Sequence, residues 1–247
     1  MQKAFLGCFL ASLLISLPTF AANPQHLEQL LKTNNCPRCD LSNADLSNKN
    51  LYGANLQDAN LSNANLSNAN LYQAFLAKAN LQGVNLQEAN LSNANLVEVT
   101  LSKANLNRAN LSSSILQESN LQGASLIEAN ITQVFLPRAN LQKANLQGAN
   151  LTQSNLVEAN LQGANLKKAN LFMSNLQKAN LKAANLTEAN LSSSWLAEAN
   201  LEKANLTKTI LEQAGLFRAN INGSIFQNTI LNGAMMPNGE LKHYFTK

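Results

Sequence analysis

A strict period of five residues constrains this chain more than any other feature of its sequence. From Leu41 to Met236 every fifth residue is large and apolar, which gives (236 − 41)/5 + 1 = 40 consecutive positions. Thirty-six of these residues are Leu, and the exceptions are Ile131, Ile221, Phe226 and Met236. A second column lies two residues before each of them, from Cys39 to Ala234, and 27 of its 40 members are Ala. In most repeats Asn or Asp stands between the two columns.

A period of five fits neither an α-helix nor a flat strand. On a helix, five steps of about 100° would carry the Leu column around the whole circumference. On a strand, five steps of about 180° would send alternate Leu residues to opposite faces. The chain must therefore turn once in each repeat, so that both the Leu and the Ala column face inward. A chain that turns steadily in this way and stacks on itself is a solenoid.

Four repeats make one coil of this solenoid. Within residues 41–200, the large apolar residues that replace the outward Asn are Phe75, Ile115, Phe135 and Trp195, and they are separated by whole multiples of four repeats. Charges two positions after the Leu also recur in every fourth repeat, as a column in which most neighbours have opposite signs. This column comprises Asp58, Lys78, Glu98, Glu118, Arg138, Glu158, Lys178, Glu198 and Arg218. Stacked strands lie about 4.8 Å apart, so such neighbours are within reach of each other and favour one register.

The repeat Ala54-Asn55-Leu56-Gln57-Asp58 resembles those of the pentapeptide repeat family, and the pattern spans residues 39–240. The resemblance implies an all-β fold, a right-handed quadrilateral β-helix in which four repeats form the four walls of each coil. Forty repeats would give 40/4 = 10 coils and a length of about 48 Å at ~4.8 Å per coil. A short N-terminal capping helix and a C-terminal tail at residues 241–247 complete the expected organisation.

Residues 1–21 read as a secretory signal peptide. Lys3 supplies the positive start, residues 4–17 form an apolar run, and Pro18 and small residues precede the expected cleavage site. Because about 20 apolar residues are needed to span a bilayer, a membrane anchor is the weaker reading. We expect export to the periplasm, an equivalent lumen or the exterior.

Residues 22–38 are expected to cover the first coil. A helix over residues 23–32 would begin with Asn23 as N-cap and Pro24 at its first position. Leu27, Leu30 and Leu31 would form its apolar face.

Cys36 and Cys39 flank the start of the repeats. In an oxidising compartment a structural disulfide is the simple interpretation, with free thiols or a CxxC redox protein as alternatives. A redox motif of this spacing would require a βαβ context that the sequence lacks. A zinc site would require two more ligands, and the two His residues lie at opposite ends of the chain. We expect neither a metal nor another cofactor.

The end of the repeats is less regular than their middle. Pro237-Asn238-Gly239 reads as a turn after the last apolar position. The following segment, which contains Leu241, Tyr244 and Phe245, either folds over the last coil or packs against a second copy of the chain.

The sequence predicts no enzyme. It contains no phosphate-binding Gly loop, no nucleophile with a matching base and no pair of carboxylates in an irregular segment. Its net charge is +4, which becomes +3 when the signal peptide and Lys3 are removed. The function expected is that of an exported structural or protein-binding solenoid.

A column of apolar substitutions on one wall is the proposed contact surface. Its members are Phe75, Val97, Ile115, Phe135, Val157, Trp195, Phe217 and Met235. Exposed apolar stripes of this kind mark contacts with another protein, with a second copy or with a membrane surface. The alternative is that the repeats tolerate scattered substitutions without consequence.

Two nucleic-acid-related functions are disfavoured. The resemblance includes proteins that mimic DNA and protect DNA gyrase, but a signal peptide and a positive charge both oppose that role here. A basic stripe of Lys103, Lys143, Lys182 and Lys203 is sparse and would be exported away from nucleic acid.

Overall fold

The computed structural model describes residues 22–242, which form one helix followed by a stack of coils. Helix α1 spans Pro24–Thr33. Parallel bridges join each outward residue to its equivalent in the next coil, from Asn35↔Asn55 to Gly215↔Met235. Each wall therefore contributes a single bridged residue, not a longer strand. This arrangement confirms the predicted right-handed quadrilateral β-helix.

Backbone hydrogen bonds account for most N–H groups of a repeat, as the segment from Leu61 to Asn65 shows. The N–H groups of its first, third and fifth residues donate to neighbouring coils at N···O distances of 2.7, 2.9 and 2.8 Å. The fourth N–H closes a turn onto the carbonyl of Leu61 at 3.0 Å. The second donates to the side-chain Oδ1 of Asn60 at 3.2 Å. The outward Asn therefore supplies the acceptor that no neighbouring backbone group supplies.

The chain turns at each corner through a residue with positive φ. This residue lies two positions after the Leu, and at every such position from Arg38 to Gly233 φ lies between 55° and 69°. A type II turn requires a positive φ at this third turn position. Gly occupies seven of these positions, and residues with a side chain occupy all the others. The cooperative stack therefore imposes a conformation that most L-residues disfavour by about 1–2 kcal/mol.

The Leu and Ala columns fill the interior of the solenoid. Leu61 and Leu161, like nearly all of their column, have no exposed surface, and Ala at the paired position is buried beside them. Ser replaces Ala at some buried positions, and its hydroxyl donates to a backbone carbonyl, as from Ser114 to Leu111 at 2.6 Å. Lys49 is the one charged member of the Ala column, and it is exposed in the first coil while its backbone keeps the regular bonding.

Helix α1 covers the N-terminal end of the stack. The Asn23 side chain accepts a hydrogen bond from the N–H of Gln25 at 3.0 Å and caps the helix start. Leu30 is fully buried and Leu27 packs against the core. Leu31, which we expected on the same apolar face, is instead about half exposed. The Nδ1 atom of His26 accepts a hydrogen bond from the backbone N–H of Asp40 at 2.9 Å, which joins the helix to the first coil.

The C-terminal end is covered less completely. The inward residues of the last coil, Ile221, Phe226, Leu231 and Met236, are only partly buried. After the predicted turn the chain folds back, and Leu241 pairs antiparallel with Met235. The predicted signal peptide, at residues 1–21, and residues 243–247 lie outside the described residues.

Enlarging one buried Ala should destabilise the solenoid. Ala144 is 1% exposed, so the additional carbon atoms of Ala144→Leu would have to displace two coils. We expect a loss of about 1–3 kcal/mol in the free energy of unfolding, measured by denaturant titration. The exposed Gln147→Leu is the control, and an equal loss in both variants would contradict the buried position of the Ala column.

Two glycines should respond oppositely to alanine. Gly163 has a φ of +66°, so Gly163→Ala should lower the melting temperature, with a loss of about 1 kcal/mol. Gly215 is the one glycine among residues 22–242 without a positive φ, and an added Cβ would lie an ordinary 3.9 Å from Trp195. Gly215→Ala should therefore be neutral or stabilising by about 0.4–1 kcal/mol. Equal losses would refute the assigned turn geometry.

Candidate interaction surface

The structure places the predicted contact residues on one wall. An unbroken series of parallel bridges passes from Asn55 through Phe75, Ile115, Phe135 and Trp195 to Met235. Trp195 is 61% exposed and Phe75 is 53% exposed. Val97, Val157 and Phe217 lie beside this column on the same wall, each two positions after an outward residue of the column.

The wall is part of a larger surface that is almost free of charge. We define the neutral face as residues 50–57 and the equivalent segment of every later coil, up to 230–237. The chain holds 18 + 14 = 32 charged residues, of which Glu212 alone lies in these segments. Of the 13 large hydrophobic residues that are exposed within residues 22–242, ten lie on the neutral face. These ten are Tyr52, Phe75, Ile115, Phe135, Phe172, Met173, Trp195, Phe217, Ile230 and Met235.

Aromatic residues at the corner next to the stripe extend this surface. The rings of Tyr52 and Tyr72 stack in adjacent coils with centroids 5.6 Å apart. Phe172 and Met173 are exposed at the same corner in a later coil. These four residues were not among the predicted contact residues, although their recurrence at one corner could have identified them.

Replacing the outward Asn by an apolar residue removes a hydrogen-bond acceptor from the wall. A backbone N–H group two positions after a replaced Asn can be left without a hydrogen-bond acceptor. Among the described residues this is the case for the N–H groups of Ala77, Gln117, Ala197 and Phe217. Pro occupies the same position after Phe135 and after Met235. Because Pro has no N–H group, it removes the unpaired donor at those two places.

Charged side chains on the other walls pair between adjacent coils. Arg108 lies 3.6 Å from Glu88 and 3.1 Å from Glu128, and the latter contact raises the pKa of the Arg108 guanidinium. Further pairs between equivalent positions of adjacent coils are Lys78–Glu98, Arg138–Glu118, Lys168–Glu188, Lys178–Glu198 and Lys182–Glu202. Most of these side chains are well exposed, so solvent screens the pairs and each contributes little to stability. Their alternation favours one register over a slipped one.

The expected basic stripe on the first wall is partly neutralised. Lys182 and Lys203 lie 2.8 and 3.9 Å from the carboxylate of Glu202, and the hydrogen bond from Lys182 lowers the pKa of Glu202. The Lys182–Glu202 pair was not predicted, and its spacing of one coil was the available signal. Two of the four lysines therefore lie beside a carboxylate, which makes this wall less suited to binding nucleic acid.

Two carboxylates in the first coil take the place of Asn. Hydrogen bonds from the hydroxyl and N–H of Ser47 lower the pKa of Asp45, and those of Ser42 do the same for Asp40. A carboxyl whose pKa is lowered in the folded state stabilises the fold above its unfolded pKa. That contribution is lost as the pH falls through the folded pKa.

A cleft of about 520 Å³ opens at the C-terminal end of the neutral face. Its walls include Trp195, Phe217, Met235 and Leu241, and Gly215 lies between Trp195 and Met235 in the bridged column. The cleft was not predicted from the sequence, because it depends on a missing side chain and on the returning C-terminal segment.

Cys36 and Cys39 are buried next to helix α1 with their Cα atoms 5.4 Å apart, a separation typical of disulfides. Within residues 22–242, the structure contains no cluster of three or more His, Cys, Asp or Glu side chains suited to a metal ion. In the same part of the chain, no helix has the length and apolar character that crossing a membrane requires.

These features define a four-walled β-solenoid with one nearly uncharged face. Four segments match the family model "Pentapeptide repeats (8 copies)", at residues 104–142, 136–171, 174–213 and 194–233. Residues 34–111 match the profile "Pentapeptide repeat region". The chain belongs to the pentapeptide repeat family.

Solved structures of this family resemble the chain. HetL, a pentapeptide repeat protein involved in heterocyst differentiation regulation in the cyanobacterium Nostoc sp. strain PCC 7120, is 32% identical. The alignment covers 90% of this chain and all of HetL, with a TM-score of 0.41. QnrB1, a plasmid-mediated fluoroquinolone resistance protein, is 16% identical, with 76% of this chain and 89% of QnrB1 covered and a TM-score of 0.50. At that identity the likeness concerns the fold alone. No curated protein sequence matches the chain.

Proposed function

We propose that this protein is an exported, non-catalytic binding solenoid whose neutral face contacts another protein. The observation that carries the proposal is the distribution of charge and apolar surface. The neutral face holds one charged residue and ten of the 13 large hydrophobic side chains that are exposed in the described part of the chain. Contiguous exposed apolar surface on a soluble protein marks an interaction site. Aromatic residues and Met are enriched, and charged residues depleted, in the cores of such interfaces.

The surroundings of the neutral face favour a protein over a lipid surface. The corner beside its wall carries five carboxylates and four cations in the column from Asp58 to Arg218. Anionic membranes attract surfaces with clustered Lys and Arg, and this corner has no such excess.

The environment of the two cysteines favours a structural disulfide in an oxidising compartment. Both side chains are nearly inaccessible, with 0% and 4% of their surfaces exposed. A redox partner would need access to one of the sulfur atoms, so a structural bridge is the better proposal than a CxxC redox protein. The bridge would close the turn between Cys36 and Cys39 at the start of the first coil.

Crosslinking in the native compartment tests the contact surface. A photoreactive residue at Phe135, in the middle of the neutral face, should capture a specific protein. The same residue at Gln147, exposed on another wall of the solenoid, is the matched control. Equal capture at both positions, or only lipid adducts at Phe135, would contradict the proposal.

Mass spectrometry of the protein from its native compartment tests export and the bridge together. We expect loss of about the first 21 residues and no alkylation of Cys36 or Cys39 until a reductant is added. Retention of Lys3 would refute export, and alkylation without reductant would refute the bridge.

A further inference from the structure

Gly215 is an exception that neither the backbone nor the packing explains. Eight of the nine described glycines have positive φ, and Gly215 does not. It occupies the outward column that holds Asn in most repeats, and a Cβ there would meet only the Trp195 ring, at 3.9 Å. The missing side chain therefore has one clear structural consequence, which is to open the cleft between Trp195 and Met235.

The same omission leaves a hydrogen-bond donor at the cleft. In an ordinary repeat the outward Asn accepts from the N–H two positions later, as Asn175 does from Gln177 at 3.1 Å. An Asn at position 215 would accept from Phe217 in this way. Within residues 22–242 the N–H group of Phe217 has no acceptor, so the space vacated by the side chain is one in which a ligand oxygen can accept this bond.

Charged residues of both signs flank the lining of the cleft, and one of them, Arg218, lies against a lining aromatic ring. No lining residue of the cleft is charged. The guanidinium of Arg218 lies 5.0 Å from the centroid of the Phe217 ring, over its face. Within the described residues Arg218 forms no ion pair. Lys178 and Glu198, which also follow lining residues, lie 4.0 Å apart, and Glu212 accepts a hydrogen bond from the Asn232 amide at 3.3 Å.

We propose that this cleft binds an acidic peptide segment of the partner protein, through one carboxylate and an adjacent large apolar side chain. The inference rests on the proposed protein-binding function. The carboxylate oxygen accepts from the Phe217 N–H in place of the missing Asn Oδ1 and lies near Arg218. The apolar side chain packs against Trp195, Met235 and Leu241. Hydrogen bonds between charged and backbone groups are stronger than neutral ones, so the carboxylate gives orientation as well as affinity.

Fluorescence of Trp195, the single Trp of the chain, provides a direct test. The probe is the blocked peptide Gly-Asp-Phe-Glu-Gly, compared with Gly-Asn-Phe-Gln-Gly and Gly-Asp-Ala-Glu-Gly. We expect a saturable change in Trp195 emission with the acidic Phe peptide. The amide peptide should bind about fivefold more weakly, and the Ala peptide should give no saturable change. Equal responses to all three peptides, or none, would overturn the proposal.

Two variants distinguish binding at the cleft from nonspecific apolar binding to the neutral face. Gly215→Asn restores the usual residue of the repeat, fills the cleft and occupies the Phe217 N–H, so it should fold and lose at least tenfold in affinity. Arg218→Gln should abolish the preference for the acidic peptide over the amide peptide. The control is Asn205→Leu, which changes the equivalent outward position of a repeat on another wall. It should leave binding unchanged. Undiminished binding to Gly215→Asn would refute the cleft as the site.

Deleting residues 243–247 tests whether the chain's own terminus is the occupant. Under our proposal the full-length and shortened proteins bind the acidic Phe peptide equally. Binding by the shortened protein alone would assign the cleft to the terminus and overturn the proposal. Capture from Phe135 is measured separately, so the protein-binding function can stand if this cleft fails, and can fail while the peptide binds.

Discussion

Every coil depends on hydrogen bonds to the coils on either side of it. In a repeat such as Leu61–Asn65, three of five N–H groups donate to another coil and only one closes a bond within the repeat. A single coil in isolation would leave those three donors without partners. A coil is therefore stable only as part of a stack, and the non-glycine residues with positive φ persist at the corners because neighbouring coils fix both ends of every turn.

The hydrophobic core is covered differently at the two ends of the stack. At the N-terminal end, Leu30 of helix α1 is inserted over the first coil and His26 bonds the Asp40 backbone. At the C-terminal end, the returning segment pairs Leu241 with Met235 along one wall only. Ile221 and Phe226 consequently remain partly uncovered. The same returning segment forms one side of the cleft, so the termination of the fold and the formation of the candidate site have a common cause.

The regular part of this structure could be predicted from the sequence, and the candidate site only partly. Phe75, Phe135 and Trp195 could be placed on one wall because, at a fixed period of 20 residues per coil, the residue number alone determines the wall. Leu31 was misplaced because the spacing of Leu27, Leu30 and Leu31 identifies one face of the helix but not how much of that face the first coil covers. The cleft was not foreseen because it depends on an absent side chain at Gly215 and on a reversal of the chain after Met236. The repeat pattern predicts which side chains face inward and outward. It does not predict the cleft that opens where one repeat lacks its outward side chain.

The four-walled cross-section has a consequence for how the length of such a chain can vary. Insertion or deletion of one whole coil changes the length of the stack and leaves every later residue on its original wall. Insertion of a single repeat preserves the interior equally well, because all walls use the same inward columns. It nevertheless rotates everything that follows by a quarter turn, which would separate Trp195 from Phe135. The interior thus accepts length changes in steps of one repeat, whereas a continuous outer surface accepts them only in steps of four.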